Sequence, residues 1–439
     1  MLAYQEVSSS WVAVTWAAFA LLLLIAGNRL KRIELHVQAY CLSTAAFVQA
    51  TFVNLYATEP FAWYPHVSLR LVTVALTVAL FYLSAWFAAK SDLRSAPIAR
   101  AAYAWAGSLL LWLLLLHELH TYNVVLGWAA LGIVLFEIGM ARRLVNWRLQ
   151  GYLAFASAFV RIFLVNVDAP KNELVLTTLP LAIAYYYAFW RLQSEDRDFL
   201  SIDRQAQAGP VMAYFGTATV ATVLACYLDA GWIAAGWAGF ALVLIAVAWS
   251  ARQDVFLHHS ILLAAAVFIR SLAFDLAPET WPASTWSDSR SAHVITAAGL
   301  LLAGQIFAFA LRRRYAESKE LNGGGPITFL VRRPEQIFFF IPLALITLLI
   351  AREVSEGRVT MAWGIEAVVV FLFALSVGER SFRLTGLGLL LLCVGKILVL
   401  DVWRQNKSDR FVTFIILGIA LLLVSFLYTR YSEAIKRYL

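Results

Sequence analysis

The residues of this sequence best placed to do chemistry are polar side chains inside long apolar stretches. Arg161, Arg270 and Lys396 each lie within such a stretch, and Gln49 occupies the corresponding place in an earlier one. A charge inside the hydrocarbon core of a bilayer costs roughly 2.5–3.5 kcal/mol or more, so each cation needs a partner or a ligand. An amide or a carboxylate follows five residues after each of the four: Asn54, Asn166, Asp275 and Asp401.

A tryptophan stands 33 residues before each of these positions, in the related contexts WAAFAL, WAALGI, WAGFAL and WGIEAV. The four residues are Trp16, Trp128, Trp237 and Trp363. Ten residues before each tryptophan comes a glutamate or, once, a tyrosine: Glu6, Glu118, Tyr227 and Glu353. Recurrence at a fixed period is the signature of internal repetition. The spacing predicts four repeats, each of about 110–125 residues.

The composition places the chain among membrane proteins. Of its 439 residues, 62% are hydrophobic and 14% charged, whereas a soluble domain has about 45–50% apolar and about 25% charged residues. The net charge of +8 resides in short basic loops beside apolar stretches, which fits membrane orientation better than nucleic-acid binding. Cys41, Cys226 and Cys393 lie in apolar segments without CxxC spacing, and we expect buried thiols rather than disulfides or metal ligands.

The elements that position the polar residues are predicted to be transmembrane helices. A span needs about 20 mostly apolar residues, and the sequence predicts fifteen: 10–27, 35–57, 68–89, 97–117, 123–141, 148–168, 174–192, 210–228, 231–249, 256–276, 291–311, 336–351, 360–378, 384–402 and 411–429. The predicted fold is therefore all-α and polytopic, with four parallel repeats of three, four, four and four helices. Their predicted boundaries are 1–93, 94–200, 201–322 and 323–439.

The basic residues predict the orientation of the chain. Most Lys and Arg fall in alternate loops, beginning with Arg29, Lys31 and Arg32 and ending with Arg430, Lys436 and Arg437. By the positive-inside rule these loops are cytoplasmic, which places the N-terminus outside and the C-terminus inside. The predicted location is the inner membrane of a bacterium.

We call Gln49, Arg161, Arg270 and Lys396 the polar column. In this arrangement the polar column and the tryptophans that precede it lie at a similar depth near the outer face. Trp128, Trp237 and Trp363 can then take part in cation–π contacts, worth about 0.5–2 kcal/mol, or form an aromatic belt. The basic residues themselves have two readings: internal ion pairs that lock each repeat, or cations that open to the outer face. Glu366, found only in the last repeat, is placed to neutralise Lys396.

Several acidic and basic residues near the outer face complete the candidate site. Asp275 and Asp401 are predicted either to meet basic groups from other helices, with Arg70, Arg290 and Arg410 as candidates, or to cap the polar end of the helix. Glu118 and Glu353 are either solvated loop charges or part of the site. The HELH motif at 117–120 offers three metal ligands, but a full site needs fixed geometry and commonly four, so a solvated turn is the preferred interpretation. Nothing in the sequence calls for a cofactor.

The last repeat resembles a family of predicted bacterial multi-pass membrane proteins known as a domain of unknown function. The matching features are AWGIEA at 362–367, RLTGLGLLLL at 383–392, Lys396 with Asp401, Arg410 with Phe414, and LGIALLLVSFLYTRY at 417–431. The resemblance implies a polytopic helical fold and carries no known activity.

Three functions remain open at this stage. The favoured hypothesis is a non-enzymatic protein that binds or moves an anionic lipid or a lipid-linked glycan at the outer leaflet. The second is a structural subunit of a membrane complex, with other membrane subunits as partners. The third is a membrane transferase with an acidic residue at the outer face, which the short outer loops disfavour.

Overall fold

A computed structural model describes residues 9–61, 63–91, 93–194, 199–277, 285–317, 332–355, 358–401 and 407–430. The chain divides into two compact halves, residues 1–227 and 228–439. Each half is built almost entirely of helices, and the following paragraphs describe each by itself.

The N-terminal half contains nine helices in the part that the structure describes. They are α1 (Val12–Leu30), α2 (Ile33–Phe52), α3 (Leu69–Ala88), α4 (Ala96–Glu118), α5 (Val124–Ala141), α6 (Val145–Leu164), α7 (Lys171–Gln193), the short α8 (Ser201–Gln205) and α9 (Ala208–Tyr227). Short 3₁₀-helices follow α2 at Asn54–Tyr56 and α6 at Asn166–Asp168. Strands β1 (Pro60–Phe61) and β2 (Tyr64–Ser68) pair antiparallel between α2 and α3, a small hairpin that the all-α prediction did not include.

Within the described residues of the C-terminal half, eight helices follow. They are α10 (Ile233–Ala251), α11 (Asp254–Arg270), α12 (Arg290–Ala303), α13 (Gln305–Glu317), α14 (Pro334–Glu353), α15 (Val359–Val377), α16 (Arg380–Lys396) and α17 (Lys407–Arg430). A 3₁₀-helix at Ala230–Trp232 precedes α10. A π-helical turn extends α11 over Ser271–Asp275, and another extends α16 over Ile397–Asp401.

These helices form because their sequences are long apolar runs bounded by polar corners. Ser68 and Ser289 cap α3 and α12, since each hydroxyl accepts a hydrogen bond from the backbone N–H three residues later, the usual role of serine at this position. The predicted span 291–311 is divided between α12 and α13 at Gly304, where a β-carbon would meet the Phe338 ring at 2.6 Å.

One packing arrangement recurs along the chain. In each of four places a helix packs against the next helix and the one after it: α1 on α2 and α3, α5 on α6 and α7, α10 on α11 and α12, and α15 on α16 and α17. The connecting helices also pack in sequence, α3 on α4, α7 on α9, and α12 on α14.

Small residues allow the paired helices to approach closely. A β-carbon on Gly151 in α6 would lie 2.9 Å from the backbone nitrogen of Phe136, and one on Gly386 in α16 would lie 3.1 Å from that of Phe371. Small residues at helix interfaces are characteristic of membrane proteins, where packing rather than the hydrophobic effect drives helix association.

The helices identify the chain as an all-α polytopic membrane protein. Within the described residues, eleven helical segments are long and apolar enough to cross a membrane. The remaining long helices, α2, α6, α7 and α17, fall outside that group, and α17 contributes the shorter apolar segment Phe411–Phe426. The count of fifteen spans and the boundaries of the repeats therefore stay predictions.

Candidate functional site

Three polar side chains of the predicted column make the same contact with the backbone. Each reaches across from the C-terminal part of its helix to a carbonyl oxygen 40 residues earlier in the chain. The bonds run from Gln49 Nε2 to Ser9 O at 3.3 Å, from Arg161 Nη2 to Thr121 O at 2.9 Å, and from Arg270 Nη2 to Ala230 O at 2.8 Å. Lys396 Nζ donates to Thr360 Oγ1 at 2.7 Å. The column thus joins each of these helices to the start of its packing partner.

Two of the tryptophans, Trp128 and Trp363, lie beside a cation as predicted. The Arg161 guanidinium lies 5.5 Å from the centre of a Trp128 ring, and the Lys396 ammonium lies 5.9 Å from that of Trp363. The Arg270 guanidinium lies 3.8 Å from the centre of the Phe274 ring.

Trp128 is a packing residue and not part of an exposed aromatic belt. It is 4% exposed and stacks on Trp112 with ring centres 4.4 Å apart. Its indole N–H donates to the Trp112 carbonyl, and the Trp363 indole donates to the Thr347 carbonyl. Both bonds span 16 residues, so the two indoles occupy corresponding environments.

The residue five positions after the column shapes the end of the helix. The amides of Asn54 and Asn166 donate to the carbonyl oxygens of Ser10 and Tyr122, each 44 residues upstream. In both places a 3₁₀-helix follows. A carboxylate can only accept hydrogen bonds when ionised, so it cannot make this contact with a carbonyl.

Asp275 occupies the corresponding position and differs accordingly. Asp275 is the last residue of a π-helical turn. Turns of this kind are frequent at functional sites. Its side chain is 1% exposed, and neither carboxylate oxygen has a hydrogen-bond partner within the described residues. Ser271, Arg270 and His293 lie beside it. Asp401 also ends a π-helical turn, and its side chain lies outside the described part.

We expect Asp275→Asn to raise the thermal stability of the protein. The change removes a buried carboxylate without hydrogen-bond partners and supplies the amide that Asn54 and Asn166 use to bind an upstream carbonyl. A net gain of about 1 kcal/mol follows if one such bond forms. The measurement is the melting temperature in detergent, with Asn166→Asp as the inverse control, which should lower it. A loss of stability in Asp275→Asn would mean that the carboxylate is paired in the folded protein.

Arg70 and Arg290 meet glutamates and not the aspartates with which the sequence pattern predicted them to pair. Arg70 on α3 contacts Glu118 at the end of α4 at 2.8 Å, and Ser68 donates to the same carboxylate. Arg290 on α12 contacts Glu353 at the end of α14 at 3.4 Å. Glu118 and Glu353 are therefore not simply solvated loop charges. They tie neighbouring helices together.

A different pair of residues makes the corresponding contact at α7 and α9. The Lys171 ammonium lies 5.7 Å from the centre of the Tyr227 ring. Tyr227 stands at the position, ten residues before the tryptophan, that is glutamate in the other predicted repeats. We call the pairs Arg70–Glu118, Lys171–Tyr227 and Arg290–Glu353 the helix joints.

The HELH motif is used for packing in this fold. Glu118 binds Arg70 and Ser68, and His117 Nδ1 lies 2.9 Å from the Leu113 carbonyl oxygen. In the part of the chain that the structure describes, no cluster of three or more His, Cys, Asp or Glu side chains is arranged to hold a metal ion.

Glu366 lies near the Lys396 site on the neighbouring helix. Its Oε1 accepts a hydrogen bond from Thr347 Oγ1 at 2.8 Å, and its buried Oε2 has no hydrogen-bond partner among the described residues. Trp363 binds the carbonyl of the same Thr347. Arg410 lies in α17 and Trp237 in α10, while the side chain of Arg410 lies outside the described part.

A buried ion pair lies at the opposite end of α6, where the sequence pattern gives no signal for it. Arg148 stands among the basic residues of one of the predicted cytoplasmic loops, but it is 0% exposed. Its Nε and Nη2 donate to the two carboxylate oxygens of Asp203 at 3.1 and 2.7 Å. Tyr152 donates to the same carboxylate, and the Phe199 ring covers the guanidinium at 4.5 Å. Bidentate pairing of this kind is the strongest geometry for an arginine and a carboxylate.

A second buried cluster was also missed. Arg312 on α13 lies 3.4 Å from the fully buried carboxylate of Glu335 and also contacts Glu379. Gln305 donates to the Glu335 carbonyl. The constant spacing that reveals the repeats carries no signal for these contacts, whose partners lie 23 and 67 residues apart.

A cavity of about 370 Å³ opens beside the Arg161 site. Trp112, Trp128 and Arg161 contribute to its wall, together with apolar residues of α6. The Arg161 Nε is buried there and has no hydrogen-bond partner within the described residues. The guanidinium of Arg161 therefore borders an open cavity.

The long apolar helices define a multi-pass helical membrane protein. The chain belongs to a family of predicted membrane proteins, DUF2339, which matches it over residues 123–431. The match covers α5 to α17 and includes Arg161, Arg270 and Lys396. No curated protein and no solved structure matches the chain.

Proposed function

We propose that this protein binds an anionic lipid, or another anionic membrane amphiphile, at the cations inside its apolar segments: Arg161 in the N-terminal half, and Arg270 and Lys396 in the C-terminal half. The observation that carries the proposal is the Arg161 site. There a guanidinium inside an apolar segment borders an open cavity, and one of its donors is buried without a partner.

The hydrogen-bonding capacity of these side chains supports a ligand. A guanidinium has five N–H donors, and the contacts of Arg161 with Thr121 and Trp128 use one donor and one face. A cation within a membrane span is costly unless it is paired. The phosphate of a lipid supplies both the missing charge and the missing acceptors.

The location of the site is part of the proposal. The distribution of basic loops favours an inner-membrane protein with its N-terminus outside and its C-terminus in the cytoplasm. In that orientation Arg161, Arg270 and Lys396 each lie near the outer face. We also propose that the chain consists of four parallel repeats. The equal sequence separations of the contacts made by Gln49, Arg161 and Arg270 support this arrangement.

Replacing Arg161, Arg270 and Lys396 together by methionine is expected to abolish selective binding of anionic lipid. Each methionine keeps an unbranched apolar side chain but removes the charge. Native mass spectrometry of the protein in detergent, titrated with phosphatidylglycerol or phosphatidylcholine, measures the preference. We expect the wild type to prefer phosphatidylglycerol by about tenfold or more, the yield of one charge-assisted hydrogen bond, and the variant to show no preference.

Two controls make this result interpretable. Replacing Arg29, Arg142 and Arg252, which lie at helix corners, by methionine removes the same charge elsewhere and should leave the preference intact. The melting temperature of each variant in detergent is measured in parallel. If the variant at Arg161, Arg270 and Lys396 keeps its preference for phosphatidylglycerol, the proposal is overturned.

A structural role in a membrane complex is the second candidate. It is favoured by the bonds from Gln49, Arg161 and Arg270 to backbone carbonyls, because such bonds can lock helices without any ligand. In that case the methionine variants lose melting temperature, and the wild type shows no preference among lipids.

A further inference from the structure

Two cavities in the N-terminal half lie side by side along α6. The first has a volume of about 480 Å³ and the second, which contains Arg161, about 370 Å³. Trp112, Leu153 and Ser157 line both cavities. We call the two adjoining cavities together the Trp112 groove.

The wall of the Trp112 groove is mostly apolar, with a polar residue towards each end. Leu131, Leu135 and Ala154 contribute to its wall. Arg161 lies at one end. Gln150 lies at the other, where its side-chain oxygen accepts a hydrogen bond from Ser108, which also bonds Tyr82. The eleven residues from Gln150 to Arg161 correspond to about 16 Å along the helix.

From this geometry we infer that the Trp112 groove holds one acyl chain of an anionic glycerophospholipid, with the lipid phosphate at Arg161. The inference rests on the proposed function and adds the ligand class and the path of its tail. The basic end matches a phosphate in charge, and the wall matches a hydrocarbon chain. The stacked rings of Trp112 and Trp128 provide a flat apolar surface beside the cation.

The dimensions favour an acyl chain over other occupants. The groove is about as long as half of the roughly 30 Å hydrocarbon core, which is the reach of a chain from one leaflet. A polyprenyl chain is much longer than one leaflet and would leave most of its length outside.

Ser157→Trp tests the path of the tail because Ser157 borders both cavities. The indole would fill the junction, so we expect the affinity for phosphatidylglycerol to fall by about tenfold or more. Leu149→Trp is the matched control, since Leu149 is an exposed apolar residue on the same helix outside the groove, and we expect it to bind like the wild type. If Ser157→Trp does not fold, Ser157→Leu provides a smaller obstruction.

The identity of the head group is tested with Arg161→Met. This variant should lose the preference for phosphatidylglycerol over phosphatidylcholine while keeping the affinity for phosphatidylcholine. Polyprenyl phosphate serves as the competing probe and should displace phosphatidylglycerol poorly. Labelled phosphatidylglycerol is displaced either by polyprenyl phosphate or by unlabelled phosphatidylglycerol. If polyprenyl phosphate displaces it at the lower concentration, the assignment of the ligand is overturned.

The outcomes separate this inference from the proposed function. If the methionine triple variant loses its lipid preference but Ser157→Trp binds normally, the replaced cations bind lipid and the assignment of the groove is wrong. If both variants bind like the wild type, both proposals fail. If Ser157→Trp and Leu149→Trp weaken binding equally, the effect is not specific to the groove and the assignment also fails.

Discussion

Replacing Asp203 by alanine is expected to lower the free energy of unfolding by about 3–5 kcal/mol, the cost of removing one partner from a buried ion pair. Arg148 is fully buried, and the substitution leaves its guanidinium without the carboxylate that receives two of its hydrogen bonds. Tyr152 loses its acceptor at the same time. Equilibrium unfolding of the purified protein in mixed detergent measures the change.

The controls for this prediction lie in the same half of the chain. Glu137 contacts Arg191 at 3.5 Å in a pair that is about one-third exposed, so Glu137→Ala should cost about 0–1 kcal/mol. Removing both charges together in Arg148→Met with Asp203→Leu should be milder than Asp203→Ala alone, because no charge remains unpaired. Equal losses in Asp203→Ala and Glu137→Ala would contradict the importance of the buried pair.

Gly386→Leu is expected to destabilise the packing of α16 on α15 by about 1–3 kcal/mol or more, the usual cost of overpacking. A β-carbon at Gly386 would already lie 3.1 Å from the Ala367 carbonyl oxygen and from the backbone nitrogen of Phe371. These are main-chain atoms of a helix, so they cannot rotate away as the end of a side chain could.

Gly388, on the same helix, provides the matched control. Nothing lies within 4 Å of a β-carbon built there, so Gly388→Leu places the same side chain where there is space. Melting temperatures of the two variants in detergent measure the difference. A similar melting temperature for both would show that α16 and α15 can separate without cost.

Much of this architecture follows from one-dimensional features of the sequence. Long apolar runs bounded by basic corners indicate membrane helices, since the bilayer sets both the length and the polarity of a span. The column of Gln49, Arg161, Arg270 and Lys396 was recognisable because cations are rare in such runs and their spacing from a tryptophan is constant. The predicted cation–π contacts of Arg161 and Lys396 are present, because residues at equal depth on packed helices become neighbours.

The contacts that were missed depend on the three-dimensional path of the chain. Arg148 looks like any basic residue at a membrane corner, and only the short helix α8, 55 residues later, brings Asp203 against it. Arg70 and Glu118 are 48 residues apart, and their pairing depends on α3 packing against α4. Trp128 was open to interpretation as an interfacial residue because hydropathy gives depth but not which side of a helix is covered.

The helix joints have a consequence for how the molecule responds to perturbation. Each joint uses a residue at the start of one helix and a residue at the end of the helix packed beside it, so its contacts are local to two neighbours. Where contacts are confined to neighbouring segments, stability is approximately a sum of segment and interface terms. Breaking Arg290–Glu353 should therefore loosen hydrogen-exchange protection around α12 and α14 first. The helices near Arg70–Glu118 should keep theirs, which gives the chain a graded rather than all-or-none unfolding.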